Sequence, residues 1–125
     1  QEKYQDEVKA RYEHTNAYKE SERKTSKYSK DDWAAVMAKS DSIFKRLAYL
    51  TELDPSVQEV QEAIAQWRQH ITHSFYDCSL EIFRGLGEMY VNDERFTKNI
   101  DQYKLGLSEF MKKAIDIYCS KMQNI

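Results

Sequence analysis

The chain has 125 residues, enough for one domain with a real core, and its formal charge is −2. That balance argues against nucleic acid as a direct partner, because such binders carry a basic stripe. No apolar run approaches the ~20 residues of a membrane span, and charged residues at 32% with one proline suit a soluble, helix-rich protein.

Residues 1 to 30 contain no Leu, Ile, Phe, Met or Trp. Their apolar content is Val8, Ala10, Ala17 and the tyrosines Tyr4, Tyr12, Tyr18 and Tyr28. Tyr4, Val8 and Tyr12 repeat at helical spacing, and Thr15 suits the cap of a short helix carrying Tyr18. Neither helix buries enough apolar surface to offset its ordering entropy. This arm is therefore a solvated connector or a lid whose tyrosines close over a bound molecule, and composition does not choose between them.

A helix is expected from near Asp31 to Thr51–Asp54. Ser29 and Asp32 have capping-box spacing, and Trp33, Val36, Met37, Ile43, Phe44, Leu47 and Leu50 form one wide apolar face. Asp54-Pro55 reads as an N-cap with proline at the first helical position. The helix that follows runs to about His73, with Val57, Val60, Ile64, Trp67, Ile71 and Phe75 as its stripe. Ser79 caps a third helix, Leu80 to Asn92, apolar on more than one face and carrying Gly85 and Gly87. Each glycine costs about 1 kcal/mol against alanine inside a helix. Their presence implies a close approach, either by another helix or by a ligand. A short helical turn around Phe96 follows. Asp101 is expected to cap a last helix reaching about Ser120, with Tyr103, Leu107, Phe110, Met111, Ala114, Ile117 and Tyr118 inward.

The fold is therefore all-α, with residues 1–30 as an N-terminal arm and residues 31–125 as the main domain. No Walker loop, dinucleotide fingerprint or hydrolase elbow is present. His70, His73 and Cys78 make a weak metal set that lacks a convincing fourth ligand, so neither metal nor cofactor is expected. A triad of Cys78 with a histidine and a carboxylate is equally weak, and no acid/base set marks an enzyme. Two cysteines, Cys78 and Cys119, give no disulfide framework and suit a reducing cytoplasm. The chain opens on Gln1 without a signal peptide, so it reads as a piece of something longer. The aromatic surplus from Phe75 to Tyr103 suits a large apolar or planar ligand.

Several runs in order, TNAYKES at 15–21, KYSKDDW at 27–33, WRQHI at 67–71, YDCS at 76–79 and GLGEMYVNDERFTKNID at 85–101, resemble the TipAS family. This is the antibiotic-recognition domain at the C-terminus of MerR-type transcription activators, and the resemblance covers roughly Lys3 to Cys119. It implies a globin-like helical domain without haem, its ligand cleft lying where a globin keeps its haem. It implies thiopeptides or other bulky apolar drugs as ligands, and an arm that is mobile when empty and folds over the drug. DNA contact and dimerisation would come only from an upstream winged helix-turn-helix and a coiled coil, both absent from this chain. Thiopeptide-trapping relatives carry a second cysteine seven positions after that of YDC. Gly85 occupies that position here, so covalent capture there is excluded, and binding is expected to be reversible. Tyr12-Glu13 stands where relatives commonly have Trp-Gly.

The expected cleft lies between the helix ending near His73, the glycine-bearing helix and the last helix. Its candidate residues are Trp67, His70, Phe75, Tyr76, Phe83, Gly87, Met89, Tyr90, Phe96 and Tyr103, with Tyr12 and Tyr18 on the lid. Each competes with a plain core role. A stand-alone drug-sequestering protein, a ligand-free interaction module and a haem binder are the alternative functions.

Overall fold

A computed structural model describes residues 16–124, which form six helices: α1 (Asn16–Thr25), α2 (Lys30–Tyr49), α3 (Gln58–Ser74), α4 (Leu80–Asn92), α5 (Glu94–Asp101) and α6 (Leu107–Gln123). No strand occurs among the described residues. Tyr4, Val8 and Tyr12 lie outside them.

Local chemistry sets most helix ends. Ser29 Oγ accepts from Asp32 N at 3.0 Å while Asp32 Oδ2 accepts from Ser29 N at 2.9 Å, so the capping box closes with aspartate in the glutamate role. Ser79 Oγ accepts from Ile82 N at the start of α4, and Asp93 Oδ1 accepts from Arg95 N at the start of α5. Two expected caps differ. Helix α3 begins after Val57, not at Pro55. Asp54 spends its carboxylate on Ser56 N, 2.8 Å away, so Asp54 to Val57 closes a separate turn ahead of the helix. Asp101 ends α5 instead of standing next to α6. Its Oδ1 nevertheless accepts from Ser108 N at 2.8 Å and so caps α6 across the intervening turn. Gly106, at φ 91°, makes that turn possible, since a side chain there would be strained.

The core is one cluster. Ile43, Leu47 and Leu50 of α2 and the turn after it meet Val60, Ala63, Ile64 and Ile71 of α3. Phe83 and Tyr90 of α4 and Leu107, Met111, Ala114, Ile115 and Cys119 of α6 join them, and Trp67, Cys78 and Ile100 complete it. The pairing of α4 with α6 is the most extensive in the fold. Gly87 belongs to that pairing: a Cβ on it would lie 3.4 Å from Ile115 Cγ2. A Cβ on Gly85 would meet nothing within 4 Å. The paired glycines therefore serve a helix contact at one position and open surface at the other.

Helix α1 contains no fully buried residue. Polar bonds at one end of α3 hold it in place. Lys24 Nζ donates to Thr72 O at 3.0 Å, and Tyr28 OH donates to Ser74 O just beyond α1. Glu20 Oε1 accepts from Asp77 N at 2.9 Å. Thr72 O and Ser74 O are C-terminal carbonyls of α3, which lack partners inside their own helix and attract a cation. Helix α1 and the turn after it are thus held by an unsatisfied helix end.

Candidate ligand cleft

The first half of α2 departs from the expected buried face. Trp33 is 38% exposed and Met37 59% exposed; Met37, with Ser40, Asp41 and Phe44 further along the helix, borders a groove. The groove has a volume of about 730 Å³, within the usual range of small-molecule sites. Its walls are α2, α3, the C-terminal part of α4, α5 and the turn after α5. Six aromatic residues line it: Phe44, Trp67, Phe75, Tyr90, Phe96 and Tyr103. Met37 and Ile100 add aliphatic surface, and Ser40, Asp41, Asn99 and Gln102 add polar groups.

The rings form connected pairs. Phe44 lies 4.6 Å from Trp67 and stacks on Tyr103 at 5.3 Å with planes 22° apart. Tyr90 lies 6.1 Å from Phe96. Trp67 Nε1 donates to Tyr90 OH at 3.1 Å in a buried bond, which satisfies the indole and fixes both rings. Phe75 contacts Trp33 at 6.2 Å, and Trp33 meets Tyr28 edge-on at 5.4 Å. A ring path therefore runs from the cleft to the residue that holds the end of α3. At the rim Tyr103 OH donates to Asp41 Oδ1 at 2.7 Å and ties the turn after α5 to α2. Burial, and then that bond, raise the Tyr103 phenol to about 12, and the same bond holds the Asp41 carboxyl below its usual range.

His70 is buried behind Trp67. Its Nε2 is 2.9 Å from Ser40 Oγ and its Nδ1 is 3.4 Å from Ser74 Oγ. Burial pushes its pKa down, so the neutral ring is favoured. It lines a second recess of about 400 Å³ between α2 and α3, with Ala35, Val36, Lys39, Gln66, Gln69, His73 and Ser74.

Among the expected site residues, Trp67, Phe75, Tyr90, Phe96 and Tyr103 come together in the cleft. Others stand elsewhere. Phe83 is fully buried between α4 and α6, edge-on to Tyr118 at 5.6 Å. Gly87 is buried against Ile115. Met89 faces an outer depression with Gly85, Glu88 and Asn92. Those three lie on the sides of α4 turned away from α2, so the expected boundary formed by α6 is replaced by α2 and α5. Tyr76 is half-buried against the core, and Tyr18 is half-buried on α1. Tyr103, expected inside the last helix, sits in the turn before it. Sequence reasoning missed Met37, Ser40, Asp41, Phe44, Asn99, Ile100 and Gln102. Met37 and Phe44 lay in the apolar stripe of α2, but nothing in the periodicity says that part of a stripe borders a groove.

Both thiols are buried. Cys78 is pushed up to about 12 by burial, and Cys119 is raised for the same reason. Arg68 Nε donates to Cys78 O at 2.8 Å and its Nη1 to Tyr118 OH at 3.2 Å, which anchors the loop carrying Cys78. Neither sulfur lines the cleft.

The described residues form an all-helical domain with an open cleft lined by aromatic side chains. The chain matches the TipAS antibiotic-recognition domain over residues 4–118, and it belongs to that family. It is 48% identical to the HTH-type transcriptional activator mta of Bacillus subtilis over 99% of this chain and 48% of that protein. It is 41% identical to the HTH-type transcriptional activator TipA of Streptomyces coelicolor over 90% of this chain and 45% of that protein. The chain thus spans about half the length of these relatives. Among solved structures, TipAS of Streptomyces lividans in complex with nosiheptide superposes with a TM-score of 0.89 at 36% identity, over 97% of this chain and 86% of that one. The antibiotic-binding domain of a TipA-class multidrug resistance regulator gives 0.67 at 35% identity, over 72% of this chain and 98% of that one.

Proposed function

We propose that this chain is the effector-binding part of a MerR-type transcription activator and takes a thiopeptide or a similarly bulky apolar drug, reversibly, in the cleft between α2, α3 and α5. The observation that carries this reading is the set of six aromatic residues around about 730 Å³, in a fold shared with a nosiheptide-bound relative. Trp67, Phe75, Tyr90, Phe96, Tyr103 and Phe44 are the contact residues, and His70 positions Trp67 from behind. Tyr12 and Tyr18 belong to the arm that completes the site. A segment too poor in apolar residues to fold alone gains the missing surface from the ligand. Its closure would move the chain entering at Gln1, and with it a DNA-binding dimer supplied by upstream segments in the cytoplasm. The ligand must favour the closed state by several kcal/mol for such a shift to be decisive. The site needs no catalysis, metal or cofactor for this role.

Native mass spectrometry with nosiheptide tests the reading. One drug per chain is expected, lost on denaturation, with Trp67→Phe removing most of the drug-induced fluorescence change. Absence of a complex, or an adduct that survives denaturation, refutes it.

A further inference from the structure

The cleft has a definite electrical character. Among the described residues that line it, Asp41 is the single ionised side chain, and no Lys, Arg or His faces it. Asp41 is tied through Tyr103 OH to a ladder of rings, Tyr103 on Phe44 on Trp67. Its nearest cation is Lys45, 3.0 Å away on the same helix. That lysine side chain is 70% exposed and the Asp41 side chain 43%, so the pair is weak and screened by salt. The hydroxyl of Tyr103, and then Lys45, keep the carboxyl ionised at neutral pH. Ring faces carry negative quadrupole density and attract cations within about 6 Å of their centroids. Beside a carboxylate they repel an anion of the same shape.

We propose that the cleft selects lipophilic organic cations, a delocalised positive charge flanked by aromatic groups, with Asp41 as the charge partner and Tyr103, exposed and backed by Phe44 and Trp67, as the ring face. This rests on the reading that the cleft is the ligand site. It adds a charge preference that bulk and apolarity alone do not supply.

The test uses two ions with the same four phenyl groups and opposite charge, tetraphenylphosphonium and tetraphenylborate, titrated calorimetrically into the full chain. Competition with nosiheptide places the probe in the cleft. The phosphonium is expected to bind about tenfold more tightly than the borate, the size of one good cation–π or charge contact. Asp41→Asn keeps an acceptor for Tyr103 and is expected to remove that preference, while binding of neutral triphenylphosphine oxide is unchanged. Tyr103→Phe keeps both ring and carboxylate, so it retains the preference and provides a second variant. Equal or tighter binding of the borate, no phosphonium binding, or phosphonium affinity unmoved in a folded Asp41→Asn protein overturns the proposal. Nosiheptide binding that persists in those cases leaves the cleft assignment standing, whereas its loss as well brings down both.

Discussion

Replacing Gly85 by alanine is expected to stabilise the protein and leave drug binding unchanged. Gly85 lies inside α4, where glycine costs about 0.8–1.0 kcal/mol relative to alanine. A Cβ there meets nothing within 4 Å, so no clash offsets the gain. For a domain of this size the melting midpoint should rise by about 4 °C. Gly87→Ala is a graded control. Its Cβ would sit 3.4 Å from Ile115 Cγ2, an ordinary contact at its near limit, so the net effect lies between zero and the full propensity gain. Gly87→Leu forces the α4–α6 contact apart and should cost about 1–3 kcal/mol. Thermal melts followed by circular dichroism measure each change, and nosiheptide titration measures the site. A folded Gly85→Ala protein that melts lower than the parent refutes the stability argument. One that has lost nosiheptide places the drug on the glycine side of α4 and refutes the cleft assignment.

Four further outcomes follow from burial. Phe83→Ala should cost about 3–5 kcal/mol in denaturant unfolding yet leave ligand affinity intact where the variant is folded, because Phe83 is core and not cleft. Neither thiol should react with a disulfide reagent in the native state at neutral pH, while both should react after denaturation. Cys78 titrates at about 12 in the fold against an ordinary value of about 8.5, so above that ordinary value the unfolded chain loses the proton first. Stability should therefore fall as pH rises from about 8.5 towards 12, and Cys78→Ala should flatten that limb. His70 has the opposite sense. Its folded pKa is depressed, so its contribution is complete above the ordinary value of about 6.5 and is lost as pH falls through the folded value. Melting midpoints measured down through this range should drop in the parent protein and drop less in His70→Gln.

Much of the secondary structure was legible because it is chemically local. Ser29 with Asp32, and Ser79 ahead of Leu80, each contain their cap within four residues, and the helices start where those caps lie. Asp54-Pro55 misled because Ser56 stood closer to the carboxylate than the helix did. Asp101 was correctly read as a cap, but of a helix beginning only at Leu107, since Gly106 lets the chain turn back onto it. The rings of the site were partly legible: five of the expected residues gather in one cleft. Phe83, Gly87 and Met89 shared their helix and their apolar character, yet they face α6 or the outer surface.

The sequence by itself determined that the protein is a bundle of amphipathic helices with an apolar-poor leading segment and an excess of aromatic side chains. Those properties follow from residue type and a period of 3.6, which act over a few neighbours. Only the tertiary structure decided which aromatics surround an open volume and which are packed solid. An apolar stripe records that a face leaves water, whereas the distance to the opposing helix sets whether the space beyond is filled. Here α4 lies close along α6 and fills it, while α2 from Met37 to Phe44 borders α3 and α5 across an open groove in which Asp41 and the six rings meet.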